Sequence, residues 1–193
     1  MWLRRVLPLA LSLALGPLAC SLHHSSAYDA RITSKRMPDG KLWMTTNLAV
    51  AVPSSYCQRD DDANCRSYGR LYTWESAQQG CRTAGDGWRL PTNEEWRALA
   101  KHYGGVRDDS NDEGHAAFQA LTLGGSAGFD VVLGGNREID GTYARLDAHG
   151  FYWTATETAA GTAWLYNFGR GGQALNRHDD AEKKRAFSVR CVQ

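Results

Sequence analysis

Hydrophobic positions are unevenly spread along this chain of 193 residues. Val6 to Ala19 form an uncharged run rich in Leu and Ala, preceded by Arg4 and Arg5. A basic start and an apolar stretch well short of the ~20 residues that cross a bilayer are the build of a signal peptide, and no later segment is apolar enough to span. Beyond it the pattern becomes periodic. Pro38-Asp39-Gly40 separates the short runs Arg31 to Met37 and Lys41 to Leu48, which predicts a hairpin. Trp74, Ala77 and Cys81 recur at helical spacing, so a short helix is expected from about Thr73 to Arg82, with Cys81 facing inward. Thr92 and Glu95 have the spacing of a capping box. A second helix therefore starts there, with Trp96, Leu99, Ala100 and Tyr103 along its core-facing side. One more helix is expected around His115 to Leu123. The remaining apolar runs, Phe129 to Leu133, Tyr143 to Leu146, Gly150 to Thr156, Ala163 to Phe168 and Ala186 to Val192, are short, rich in β-branched and aromatic residues and punctuated by glycine, as strands are. Helices first and strands later predict an α+β domain: two or three short helices with a mostly antiparallel, loop-rich sheet.

The ends refine this organisation. Pro17-Leu18-Ala19-Cys20-Ser21 puts a cysteine where the apolar run stops, the place at which an exported chain is lipidated. Lipidation of Cys20 is expected, although Pro17 stands where such signals prefer Leu. Ordinary cleavage after Ser25-Ser26-Ala27 is the other route and would discard Cys20. Residues 1–19 thus read as signal peptide, 20–30 as a polar tether with His23 and His24, and 31–193 as one domain of a size that supports its own core. The expected location is an outer-membrane or cell-surface lipoprotein, or a periplasmic or secreted protein if cleavage follows Ala27.

Five cysteines are present. With Cys20 lipidated or removed, Cys57, Cys65, Cys81 and Cys191 form an even set, which in an exported protein reads as disulfides. Three pairings are possible. The polar, turn-like stretch between Cys57 and Cys65 makes local closure cheap in chain entropy, which would leave Cys81 with Cys191. No Cys-x-x-Cys is present to suggest zinc. Of the 22 basic residues, 20 remain without Arg4 and Arg5 against 21 acidic ones, so a nucleic-acid partner is not indicated.

Several motifs stand in order: Asp39 to Leu48 (Asp-Gly-Lys-Leu-Trp-Met-Thr-Thr-Asn-Leu), then Tyr68-Gly69-Arg70-Leu71-Tyr72-Thr73-Trp74, Gly87-Trp88-Arg89-Leu90-Pro91-Thr92 with Glu95-Trp96, Gly134-Gly135-Asn136-Arg137, Phe151 to Glu157, and Ser188-Val189-Arg190-Cys191-Val192. From Met37 to Val192 the chain resembles the Fibrobacter succinogenes major paralogous domain family. That resemblance implies a C-type-lectin-like fold related to formylglycine-generating enzymes, secreted or lipid-anchored bacterial proteins, and a disulfide from an early helix to the last strand, which is Cys81 with Cys191.

No chemistry of a known catalytic site is completed. The Glu-Pro-Asn, Gln-Pro-Asp and Trp-Asn-Asp motifs of calcium-dependent sugar sites are missing. Asp109 to Gly114 begins like a calcium loop, but Ala120 occupies the twelfth position where a bidentate carboxylate belongs, so a solvated acidic loop is expected. Asp60-Asp61-Asp62 reads as a charged turn. His102, His115, His149 and His178 show no diagnostic spacing. No catalytic residue, metal or cofactor is therefore expected. Recognition remains the leading expectation, with a glycan or an envelope protein as partner and a lipid on Cys20 as the link to the membrane; the alternatives are a structural envelope scaffold and a divergent enzyme of the formylglycine-generating-enzyme-like superfamily. Trp164, Tyr166, Asn176, Arg177, His178 and Asp179, beside the glycine-rich turn of Gly169 to Gly172, are the candidate ligand-binding residues, although strand tryptophans such as Trp153 and Trp164 usually pack inward.

Overall fold

Asp39 carries the first turn: its carboxylate accepts the Lys41 N–H at 3.1 Å and the Trp43 indole N–H at 2.9 Å. Gly40, at φ +83°, supplies the left-handed residue that the turn needs. The hairpin so made pairs β1 (Ser34–Arg36) with β2 (Leu42–Met44), Lys35 opposite Trp43. The computed structural model describes residues 32–85 and 87–193; Cys20, the expected signal and the tether lie outside them.

Next come β3 (Ser55–Tyr56), α1 (Asp62–Tyr68), β4 (Leu71–Tyr72), α2 (Trp74–Thr83), α3 (Asn93–Lys101) and α4 (His115–Leu121). The chain continues into the small hairpin β5 (Asn136–Arg137) and β6 (Tyr143–Ala144), then the meander β7 (His149–Ala159), β8 (Thr162–Gly169) and β9 (Ala174–Glu182). Every ladder is antiparallel, in three two-stranded sheets and one three-stranded sheet among the described residues. The α+β class holds, with four α-helices where two or three were expected.

The capping box forms as its spacing requires. Thr92 Oγ1 accepts the Glu95 N–H at 3.2 Å, and Glu95 Oε2 accepts the Thr92 N–H at 2.9 Å. This fixes the start of α3 and aims Trp96 inward. Trp96 is fully buried, edge-on to Trp43 at 5.1 Å and Phe129 at 5.7 Å, and stacked on Tyr166 at 5.2 Å. Alternation along β8 divides the core in two. Tyr166 and Phe168 join Trp96, Trp43 and Phe129, whereas Ala163 and Leu165 join Trp153, Phe187 and the Cys81–Cys191 disulfide on the other side.

Three expected elements differ. Phe129 to Leu133 is no strand; its apolar side chains pack in place and it makes one parallel bridge, Val131 to Thr122. Ala186 to Val192 joins no ladder. It threads the middle of the domain instead, bridging in turn to Arg137, Tyr72, Tyr152, Trp43 and Arg89. Asp60-Asp61-Asp62 is not merely a turn, because Asp61 accepts the Ala63 N–H at 2.8 Å and caps α1.

Both expected disulfides are formed. Cys57 and Cys65 join the entry and the body of α1, with Cα atoms 4.9 Å apart and eight residues of separation. Cys81 and Cys191 tie α2 to the C-terminal segment across 110 residues, with Cα atoms 5.7 Å apart.

Candidate functional site

The C-terminal segment carries a guanidinium into the domain's centre. Arg190 is fully buried and pairs with no carboxylate among the described residues; oxygen dipoles surround it instead. It donates to Asn47 Oδ1 at 2.7 Å and to the carbonyls of Phe129 and Asp130 at 2.6 Å each, with the Met44 carbonyl at 3.2 Å. Its charge also lies over the Phe129 ring, 4.9 Å from the centroid. Burial pushes its pKa down, but a guanidinium remains protonated at any physiological pH.

Asn47 links this cation to the wall above it. Its amide donates to the Tyr68 carbonyl at 2.8 Å, and the Tyr152 hydroxyl stands 3.1 Å from its Oδ1 while donating to Val132 O at 2.8 Å. Gly69 permits the approach. It ends α1 at φ +73°, and a Cβ there would lie 2.6 Å from Asn47 Cβ and 2.8 Å from the Leu48 carbonyl.

Above this floor lies a half-open groove of about 810 Å³, within the size range of small-ligand sites. One wall is the extended stretch Thr45 to Val50, and the other is the end of α1, Arg66 to Gly69. Thr33, Thr45, Thr46, Ser67, Tyr68 and Asp130 line it together with apolar residues such as Met44, Leu48 and Val50, and Ile32 and Leu123 are exposed apolar residues beside it. The hydrogen bond from Tyr68 to Asp147, 2.8 Å long, holds the Tyr68 phenol above its ordinary pKa, so it is a neutral hydroxyl here. Hydroxyl, amide and carboxylate groups beside apolar carbons can grip a polar ligand of many hydroxyls. Ser67, the groove's serine, is committed to the Ala63 carbonyl at 3.1 Å.

The residues singled out from sequence are scattered rather than gathered. Tyr166 is a correction: it is fully buried, stacked on Trp96, with its hydroxyl 3.0 Å from the Asn93 carbonyl, so no ligand reaches it. Trp164 and Arg177 share the face that Tyr166 occupies, and the guanidinium lies 4.7 Å above the half-buried indole. Asn176 and His178 point to the opposite face of the meander, two residues apart, opposite Asn167 and Leu165. Asp179 is exposed at the β-bulge beyond them. Trp153 is core, as expected.

The acidic stretch at Asp109 to Gly114 uses its oxygens internally. Asp109 pairs with Arg97 at 2.7 Å, and Asp112 accepts the Ala116 N–H at 2.7 Å, which holds its carboxyl below the usual range. The histidines are apart: His149 bonds Asn167 and His115 bonds the Gly172 carbonyl. No group of three or more His, Cys, Asp or Glu able to hold a metal occurs among the described residues.

Sequence reasoning missed the groove, because its walls come from segments twenty residues apart and its floor from the far terminus. The available signal was that Asn47, Tyr68-Gly69 and Arg190 each stood inside a different one of the ordered motifs. No curated protein matches the chain. Residues 38–193, which supply the groove's floor and most of its walls, match the Fibrobacter succinogenes major domain, and the chain belongs to that family.

Proposed function

We propose that this chain is an exported, lipid-anchored envelope protein whose domain binds a glycan in the groove between Thr45–Val50 and the end of α1, without catalysing a reaction. The observation that carries the reading is the groove itself: concave, lined by hydroxyl-bearing and apolar residues together, and built on the Arg190–Asn47 network. Export is supported by Arg4, Arg5 and the apolar run that ends at Cys20, and by a set of four cysteines that forms two disulfides. A C-type-lectin-like relationship is supported by the bond from α2 to the C-terminal segment and by the capping-box opening of α3. The reading needs no cofactor and leaves no role for nucleic acid.

The test is calorimetric titration of the mature protein against peptidoglycan fragments and envelope polysaccharides. Micromolar binding is expected, weakened about tenfold by Arg66→Gln at an unchanged Tm. Absence of binding across the set would sink this reading. It would favour the second one, a structural scaffold of the envelope, which the burial of Tyr166 and the dispersal of the other aromatic candidates support.

A further inference from the structure

The two disulfides sit in contrasting surroundings. Cys81 and Cys191 are both 0% exposed, packed in the core beside Trp153 and Phe187. Cys57 and Cys65 are 7% and 8% exposed, and Cys65 borders the groove. Arg70 stands against that second pair. Its Nε donates to Ser55 Oγ at 3.0 Å and its Nη2 to the Ser55 carbonyl at 2.7 Å. This grip fixes Nη1 at 3.5 Å from Cys57 Sγ and 3.6 Å from Cys65 Sγ. No ion pair among the described residues engages Arg70, so its charge faces the sulfurs without a carboxylate partner.

We infer that Cys57–Cys65 is a thiol–disulfide exchange site, opened by an external dithiol entering along the groove while Cys81–Cys191 stays closed. The rate of exchange depends on access to the attacked sulfur and on how well the leaving thiolate is stabilised. Cys65, 8% exposed, borders the groove from which the thiol would approach, and the Arg70 guanidinium stands against both sulfurs, where it stabilises whichever leaves as thiolate. A thiolate of the dithiol attacks Cys65 Sγ, the S–S bond breaks, and Cys57 leaves with the electron pair beside Arg70. The dithiol's second thiol gives its proton to water and displaces Cys65 as a thiolate. The reductant ends as a disulfide, and the protein gains two electrons and takes up two protons as its thiolates are neutralised.

One local charge opposes the step. Asp62 Oδ1 lies 3.6 Å from Cys57 Sγ, where a carboxylate disfavours a thiolate. Arg70 and Asp62 therefore push the exchange rate in opposite directions. Once opened, the pair no longer ties α1 to the turn before it, and α1 carries Ser67 and Tyr68 of the groove wall.

The experiment treats the full chain with dithiothreitol, traps free thiols with isotopically coded iodoacetamide at intervals, and counts label at each cysteine by mass spectrometry while tryptophan fluorescence reports the fold. Cys57 and Cys65 are expected to open at least tenfold faster than Cys81 and Cys191, with fluorescence unchanged. Arg70→Gln should slow that opening several-fold. Asp62→Asn should speed it, and it leaves the Asp61 cap of α1 intact. Equal opening of both pairs together with loss of fluorescence would overturn the inference, as would an Asp62→Asn protein that opens no faster than the parent. The outcome does not depend on what the groove binds.

Discussion

Arg190 Nε donates to Asn47 Oδ1 at 2.7 Å across 143 residues of sequence, and through that bond the C-terminal segment holds the groove wall. A planar cation with donors on three nitrogens is the only side chain that can meet Asn47 and the carbonyls of Phe129, Asp130 and Met44 at once. Lysine is a poor substitute, because its point charge cannot reach acceptors spread around a plane. Arg190→Lys should lower stability by at least about 2 kcal/mol, since charge-assisted hydrogen bonds are worth roughly 1.5–3 kcal/mol and buried carbonyls would be left unpaired. Urea unfolding should show this as a lower midpoint at unchanged slope.

Gly69 gives a second mutation with a definite sign. Its φ of +73° and the 2.6 Å approach to Asn47 Cβ leave alanine strained in its backbone and clashing with a wall that cannot retreat. Gly69→Ala should cost about 2 kcal/mol or more and loosen the end of α1, whereas Gly161→Ala, with nothing within 4 Å, should be nearly neutral. Thermal melts of the two variants side by side check the contrast.

What could be read from the chain follows from which residues carry a pattern. α3 was legible because Thr92, Glu95 and Trp96 combine a cap with a core stripe, and the meander because β7 and β8 are bulky and buried. α1 was not. Its seven residues bury only Cys65, so no apolar period marks it. β9 was equally hidden: Ala174–Glu182 pairs only with β8 and is largely polar, as an edge strand can be. Tyr166 stands beside the glycine-rich turn of Gly169 to Gly172, which makes it a candidate, yet Asn93 satisfies its hydroxyl inside the core. The groove depends on contacts between residues far apart in sequence, and periodicity contains no trace of those.

Glu95 makes stability depend on acid. Burial alone would raise its pKa, but two hydrogen bonds from Arg89, the Thr92 N–H and Lys41 outweigh that and bring it down to about 2. A carboxyl whose folded pKa lies below its unfolded value contributes stability that is complete above the ordinary carboxylate range and disappears as pH falls toward 2. Allowing for screening by solvent, the expected loss between pH 5 and pH 2 is about 1–2 kcal/mol from this group. Glu95→Gln should flatten that part of the pH–stability curve and lower stability at pH 7. An unchanged slope in the variant would show that other carboxylates govern the acid limb.

The two disulfides should contribute unequally to stability. In the chain-entropy argument, closing an eight-residue separation stabilises by about 2–3 kcal/mol and closing 110 residues by about 4–5 kcal/mol. Burial widens the gap. Cys81→Ser with Cys191→Ser places two hydroxyls in a fully buried apolar site, while Cys57→Ser with Cys65→Ser places them near the groove, within reach of Arg70 and water. The first double variant should melt well below the second, and only the second should keep the tryptophan fluorescence of the parent at room temperature. The same ordering bears on function. A protein lacking the Cys57–Cys65 bond but retaining the core isolates the groove wall as the variable, so a change in its glycan titration would be assignable to α1 rather than to loss of the fold.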